Sequence, residues 1–103
     1  MTKWIRYDWA DDDTVNYLEI GDDGRPSRQV TLEGPLRLPV SAASLEEVLH
    51  IRDQGTPAEM ATYERRYGVM VEGDVHDRQD TEITQAEFDR RWAAARQALF
   101  GRG

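Results

Sequence analysis

The sequence predicts an α+β domain, in which an antiparallel meander of three to four strands is followed by three helices packed on one face of the sheet. Three observations lead to this fold class. Apolar side chains alternate every second position through about residue 40, and they recur every three to four positions from Ser44 onward. The change of period coincides with a helix-capping sequence at Ser44. At 103 residues, the chain has the usual size of one domain, and we expect a single domain over residues 1–103.

The strand half contains alternating runs separated by turn signals. The first two runs, residues 4–9 and 15–20, flank three consecutive aspartates at residues 11–13, as in a polar hairpin loop. Asp23-Gly24 precedes the third run, residues 28–33, and Asp-Gly between alternating runs is a strong hairpin signal. The first three strands are therefore predicted to pair in sequence order.

A short fourth strand is predicted at Leu36, Leu38 and Val40, after a turn at Gly34-Pro35. Pro39 lies inside this run and has no N–H group to donate to a ladder. Because proline is confined to edge strands and strand ends, we expect the fourth strand to lie at an edge of the sheet or to end there.

Three capping boxes predict where the helices begin. In each box a Ser or Thr hydroxyl accepts a hydrogen bond from the amide three residues later, and the Glu at that position reaches back to the capping residue. The boxes start at Ser44, Thr56 and Thr84. Glycine suits the position after a helix, so we expect the first helix to end before Gly55 and the second at Gly68.

The third helix carries an apolar stripe. Phe88, Trp92, Ala95 and Leu99 follow one another at helical spacing and share one face, which is predicted to be buried. Ile83 precedes the capping residue and fits a hydrophobic staple with Phe88. This helix is the one we expect to cover the sheet most fully.

The segment between the second and third helices, residues 68–83, has two parts. It opens with the apolar residues Val69, Met70 and Val71, which predict either a short strand or an insertion into the core. It continues as an acidic stretch, residues 72–82, which we expect to be an exposed loop.

Composition restricts the classes of function. The chain has no cysteine, which excludes disulfides, thiolate nucleophiles and zinc–thiolate sites. Its net charge of −7 argues against binding to nucleic acid phosphates or to an anionic membrane. The N-terminus lacks the basic and apolar regions of a signal peptide, and no apolar run approaches the about 20 residues that span a bilayer. We therefore expect a cytoplasmic protein.

No group of residues forms a recognisable catalytic or metal-binding motif. The three aspartates at residues 11–13 suggest calcium, but Val15 stands where the third acidic ligand of an EF-hand loop belongs. The dipeptide His76-Asp77 would need further histidines for a metal phosphohydrolase site, and the chain offers only His50. The sequence thus predicts no catalytic residues, no metal and no cofactor, and it favours a protein that is not an enzyme.

Six segments are similar to those of a known family. They read Trp-Ile-Arg-Tyr, Val-Asn-Tyr-Leu-Glu-Ile, Arg-Gln-Val, Ala-Ser-Leu-Glu-Glu-Val-Leu, Tyr-Glu-Arg-Arg-Tyr-Gly-Val and Ile-Thr-Gln-Ala-Glu-Phe-Asp-Arg-Arg-Trp. Together they resemble small actinobacterial proteins akin to domain-of-unknown-function family 6881. The resemblance covers nearly the whole chain, and the middle helices match it least. It brings no catalytic residues, and it implies an acidic bacterial α+β domain that acts as an immunity protein or another binding partner.

The predicted function is that of a non-enzymatic protein-binding module, an immunity-type or inhibitory partner of a basic protein. If the odd-numbered residues of the first strand face the core, Trp4 points outward, where a tryptophan beside charged groups is typical of an interface anchor. In the alternative, the helices or the C-terminus cover Trp4. The predicted contact residues are Trp4, Asp11, Asp12 and Asp13 on one surface, and Glu72, Asp74 and Asp77 on a rival surface in the acidic stretch.

Two other functions stay open. The chain is a small-ligand-binding or enzymatic domain if a cleft between the sheet and the helices is lined by Tyr17, Tyr63 and Trp92. It is a structural subunit if it forms a homodimer through the edge strand near Pro39. The sequence leaves the oligomeric state undetermined.

Overall fold

Four successive strands and three helices appear in the order that the sequence predicts, and the α+β fold class is confirmed. The computed structural model describes residues 1–70 and 81–100. A fifth strand, which the sequence did not predict, precedes the last helix. The elements are β1 (Lys3–Trp9), β2 (Thr14–Ile20), β3 (Pro26–Glu33), β4 (Leu38–Ser44), α1 (Leu45–Gln54), α2 (Pro57–Tyr67), β5 (Thr81–Ile83) and α3 (Gln85–Phe100).

The five strands form one antiparallel sheet in the order β4-β3-β2-β1-β5. The meander of β1 to β4 places β4 at one edge, as Pro39 predicted, and the β3–β4 register shifts between Thr31 and Leu32. The fourth strand starts at Leu38 and continues to Ser44, so it lies further along the chain than predicted. The fifth strand, β5, was predicted to be part of a loop, because three residues are too few to show an alternating pattern.

Helix α3 lies across one face of the sheet, and its predicted apolar stripe is confirmed. Trp92, Leu32, Tyr67 and Ile83 are partly buried against the same core. The fully buried side chains of this core are Val15, Tyr17, Val30, Ala42, Phe88, Ala95 and Leu99. The sheet is therefore held to α3 by side chains from β2, β3 and β4 together.

The interpretation that places the odd-numbered residues of β1 under the helices is wrong, and the alternative, in which the helices cover Trp4, agrees with the structure. In the register of β1 with β2, Trp4 lies opposite Glu19 and Arg6 lies opposite Tyr17, and opposite residues share a face of the sheet. Trp4 therefore faces α3 with Tyr17, whereas Ile5 packs on the second face of the sheet. Because β2 carries apolar residues on both of its faces, the alternation within β1 does not reveal which face α3 covers.

The three capping residues all cap helices, and a complete reciprocal box is seen at Thr56. Thr56 Oγ1 accepts from the Glu59 amide, and the Glu59 carboxylate accepts from the Thr56 amide. Thr84 accepts from the amide of the third helical residue. Ser44 also caps α1, but its own amide donates to the Tyr63 hydroxyl, so the predicted reciprocal box at Ser44 is wrong. The glutamate of that box has a different partner, as described below.

Helices α1 and α2 pack against each other and against β4, the edge strand. Their buried contacts involve Ala43, Val48, Tyr63 and Met70. Of the two predictions for the apolar residues after α2, an insertion into the core is confirmed for Met70, and no strand is present at residues 69 and 70. Val71 and the predicted acidic loop of residues 72–80 lie outside the described residues.

Gly68 ends α2, as predicted, and its φ of +83° is a backbone conformation that favours glycine. A Cβ atom at this position would lie 2.7 Å from Ser41 Oγ, so the chain approaches β4 too closely for any side chain. Ser41 Oγ donates to the Tyr67 carbonyl over 3.1 Å, which holds the end of α2 against the sheet. Of the helices in the described part of the chain, none combines the length and apolar character needed to span a membrane.

Candidate functional site

Two loops meet at one end of the sheet and are held together by hydrogen bonds. The first loop follows β1 and contains the 3-10 turn Ala10–Asp12 and then Asp13, whose φ is +50°. The second follows β3, where Gly34 donates its amide to the Asp13 carbonyl over 2.9 Å. Arg37 Nη1 donates to Asp13 Oδ1 over 3.0 Å. All three aspartates of the hairpin are exposed, and the third of them fixes the two loops to each other.

Three large apolar side chains are exposed at this end of the sheet. Trp9 is 44% exposed, Leu36 is 78% exposed and Leu38 is 58% exposed. Trp9 and Leu38 belong to one row that crosses β1, β2, β3 and β4, and three strand spacings of about 4.8 Å separate them by about 14 Å. Leu36 lies in the loop just before Leu38. We refer to Trp9, Asp11, Asp12, Leu36 and Leu38 as the sheet-end surface.

The sheet-end surface is acidic as well as apolar. Asp11 and Asp12 are exposed, and within residues 1–70 and 81–100 no ion pair involves either of them. Glu33, on the same cross-strand row as Trp9 and Leu38, is exposed too. The guanidinium of Arg37 is already paired with Asp13. A partner that approaches this end therefore meets negative potential around exposed apolar groups.

Trp4 does not belong to this surface, which corrects the predicted grouping of Trp4 with the aspartates. It lies near the opposite end of β1 and is partly buried against the core under α3. Its indole Nε1 donates to Glu19 Oε2 over 2.9 Å. The exposed tryptophan next to the aspartates is Trp9. The sequence could not separate the two because the choice depends on which face of β1 the last helix covers.

The partly buried carboxylate of Glu19 accepts hydrogen bonds from Arg28 and Ser27 as well as from Trp4. Arg28 donates through Nε over 3.0 Å and through Nη2 over 2.6 Å, and Ser27 Oγ donates over 2.8 Å. The hydrogen bonds from Arg28 lower the pKa of Glu19 from 4.5 to about 2, in spite of the burial that opposes this change. Arg28 Nη2 also donates to Asp89 on α3 over 2.9 Å, which ties the helix to the sheet.

A second charged cluster joins α3 to α1, α2 and β4. Arg96 forms a bidentate ion pair with Glu47, and its Nε donates to the Ala42 carbonyl over 2.8 Å. The Tyr63 hydroxyl donates to Glu47 Oε1 over 2.7 Å and accepts from the Ser44 amide over 2.9 Å. Burial favours the neutral phenol and the Glu47 charge adds to this effect, so that the pKa of Tyr63 rises to about 12. Burial also opposes ionisation of Glu47, yet the hydrogen bonds from Arg96 and Tyr63 leave its pKa below the usual value.

Arginines and aromatic rings alternate between these two clusters. The guanidinium of Arg28 lies 5.2 Å from the centre of the Trp92 ring, and that of Arg96 lies 4.4 Å from the same centre. Arg96 also lies 3.8 Å from the centre of the Tyr67 ring, and Arg28 lies 4.9 Å from that of Phe88. Sequence reasoning missed this series. The available signal was Arg28, an arginine two positions before Val30 on the face of β3 that α3 covers.

The residues predicted for a ligand-binding cleft do not line one cavity. Tyr17 is buried in the core beneath α3, with Arg91 5.5 Å from its ring centre. Tyr63 and Trp92 both contact Arg96, and that side chain occupies the space between them. An open groove of about 480 Å³ beside Tyr63 is bordered, among the described residues, by Glu46, Glu47, His50, Ile51, Tyr67 and Arg96. The polar groups at its floor are largely engaged with one another.

No group of three or more carboxylate or histidine side chains in the described part of the chain is arranged to hold a metal ion. The predicted contact residues Glu72, Asp74 and Asp77 lie outside the described residues. The rival acidic surface therefore stays a prediction.

Comparisons with protein-family models, with curated proteins and with solved structures find no match for this chain. The resemblance to domain-of-unknown-function family 6881 stays a prediction from sequence segments. The function is accordingly inferred from the side chains of the chain itself.

Proposed function

We propose that this protein is a non-enzymatic binding module that binds a basic protein through the sheet-end surface, as an immunity-type or inhibitory partner. The observation that carries the proposal is the exposure of Trp9, Leu36 and Leu38 beside two exposed aspartates. A cluster of exposed apolar side chains with charged neighbours is typical of protein-binding surfaces. A cytoplasmic location and an actinobacterial origin belong to the same proposal.

The apolar part of the surface supplies lasting contact in this proposal. Trp9 has a large, rigid side chain, and tryptophan is among the residues that contribute most when an interface desolvates them. Leu36 and Leu38 extend the contact across the sheet by about 14 Å, measured from Trp9 to Leu38. This span suits a folded partner better than a single side chain or a small ligand.

The acidic part of the surface selects a basic partner. Asp11 and Asp12 add to a net charge of −7, and a field of this sign accelerates encounter with a positively charged protein. The two carboxylates are exposed, so they contribute more to the association rate and its salt dependence than to the final affinity. Asp13 supports the surface by fixing the loops and is not required to contact the partner.

The proposal is tested with a charge-reversed pair and a matched control pair. The protein is used to isolate its partner from the native host, and binding of that purified partner is then measured in a biosensor at several salt concentrations. Asp11→Lys/Asp12→Lys changes the sheet-end surface, and Asp22→Lys/Asp23→Lys makes the same change in the exposed turn between β2 and β3, at the opposite end of the sheet. Both pairs change the net charge from −7 to −3, since each substitution adds two charges.

We expect the sheet-end pair to slow association about tenfold or more at low salt, and the control pair to have a much smaller effect. Trp9→Ala should accelerate dissociation about 30-fold, as loss of a hot-spot residue worth about 2 kcal/mol would do. Leu49, which is exposed on α1, supplies an apolar control through Leu49→Ala. Equal effects of the two charge pairs, together with normal dissociation of Trp9→Ala, would exclude the sheet-end surface.

A further inference from the structure

Strand β4 forms one edge of the sheet, and an edge strand exposes backbone groups that can pair with a strand of another molecule. In an antiparallel sheet, alternate residues of such a strand direct their N–H and C=O groups away from the neighbouring strand. In β4 these outward groups include the Ala42 carbonyl and the Ser44 amide, because both bind side chains that belong to helices.

Both outward groups are occupied by side chains from helices that follow β4 in the chain. Arg96 of α3 donates to the Ala42 carbonyl over 2.8 Å, and Tyr63 of α2 accepts from the Ser44 amide over 2.9 Å. Glu47 of α1 joins the two by accepting from both Arg96 and Tyr63. Three helices thus contribute to one polar cluster on the backbone of the edge strand.

The first half of β4 is blocked by a different means. Pro39 has no N–H group, and the register of β4 with β3 shifts between Thr31 and Leu32, opposite this half of the strand. Proline and local irregularity are two ways in which proteins prevent pairing at sheet edges. The second half, Ser41 to Ser44, contains small residues without either feature and is buried under the helices, where Arg96 and Tyr63 bind its outward backbone groups.

The composition of the cluster favours a protective role over a purely stabilising one. Burying an arginine costs desolvation energy that a well-packed apolar side chain would avoid, and its partner Glu47 stays 43% exposed. Arg96 is nevertheless only 19% exposed, lies between the rings of Trp92 and Tyr67, and directs Nε at a backbone carbonyl of the edge strand. An apolar side chain could fill the space between the rings, but it could not bind that carbonyl.

We infer that Arg96, Glu47 and Tyr63 form an edge cap, which prevents β4 from pairing with the β4 strand of a second copy of this chain. The edge cap keeps strand pairing from competing with the binding of partners at the sheet end. The inference about the edge cap itself does not require that the sheet-end surface is the binding site. It opposes the homodimer alternative, in which this edge would be the interface.

The inference is tested by removing the two groups that bind the strand. Arg96→Met/Tyr63→Phe retains most of the buried volume and removes both hydrogen bonds to β4. Arg28→Met is the matched control, because Arg28 is 23% exposed, also pairs with a carboxylate and also lies over Trp92, yet makes no described hydrogen bond to β4. Molar mass is measured by light scattering over a range of concentrations, and hydrogen exchange is followed at the amides of β4.

We expect the molar mass of the double variant to reach about twice the wild-type value, as two copies associate. The β4 amides should then become newly protected from hydrogen exchange. Arg28→Met should keep the wild-type mass. The inference is wrong if the double variant keeps the wild-type mass, if Arg28→Met associates to the same extent, or if association leaves the β4 amides unprotected.

The single variant Tyr63→Phe covers the case in which the double variant does not fold. It removes one oxygen atom, and at dilute concentration the Ser44 amide should exchange about fivefold to tenfold faster than in the wild type, as expected for loss of one hydrogen bond. Unchanged exchange at Ser44 would show that Tyr63 does not cap the strand and would overturn the inference.

Discussion

Glu19→Gln should remove much of the change in the free energy of unfolding that occurs as the pH falls in the acid range. In the folded protein the Glu19 carboxylate accepts hydrogen bonds from Arg28, Trp4 and Ser27, and the bonds from Arg28 hold its pKa at about 2 instead of 4.5. Because the folded pKa lies below the unfolded value, the ionised carboxylate stabilises the fold above pH 4.5. This stabilisation is lost as the pH falls through the folded pKa.

The size of the effect follows from the two pKa values of Glu19. At 1.36 kcal/mol per pKa unit, the ionised carboxylate contributes about 3 kcal/mol to the free energy of unfolding at pH 7. The same relation leaves less than half of this contribution at pH 3 and little of it at pH 2. The side chain is only 15% exposed, so solvent screens the ion pair with Arg28 weakly.

Urea unfolding, followed by tryptophan fluorescence between pH 2 and pH 7, measures this contribution. The wild type should exceed Glu19→Gln by about 2–3 kcal/mol at pH 7, and the two curves should converge near pH 2. Glu33→Gln is the control, since Glu33 is an exposed strand carboxylate without a described ion pair. A constant difference between wild type and Glu19→Gln across the pH range would refute the coupling between Glu19 ionisation and folding.

Two further substitutions test the packing. Phe88→Ala leaves a cavity in the core under α3, and we expect it to lower the free energy of unfolding by about 3–5 kcal/mol in chemical denaturation; a loss below about 1 kcal/mol would contradict full burial of Phe88. Gly68→Ala should destabilise the fold more than Gly24→Ala, because both positions have positive φ but only Gly68 also lacks space, since a Cβ atom there would approach Ser41 Oγ to 2.7 Å. Equal melting temperatures for the two glycine variants would exclude the close approach of α2 to β4.

The candidate site was only partly accessible to sequence reasoning. The three aspartates between β1 and β2 were correctly expected at a hairpin, since turn residues between alternating runs are a local signal. The sequence did not predict that Asp13 would fix the loops, because Asp13 pairs with Arg37, which is 24 positions away in the chain. The sequence left two alternatives for Trp4, outward or covered by the helices, and the structure agrees with the second, whereas Trp9 is the exposed tryptophan.

The sequence by itself determined the order of the strands in the meander, though it left their number at three to four, and it determined the three helices and the residues that cap them. Alternation, helical spacing and capping act between residues a few positions apart, so they can be read along the chain. Only the tertiary structure decided which face of β1 lies under α3, because β2 is apolar on both faces and either choice satisfies the local pattern. It also decided that Glu47 binds Arg96, 49 positions away, and does not complete the capping box at Ser44. That choice depends on an arginine which approaches only when the helices and the edge of the sheet have packed together.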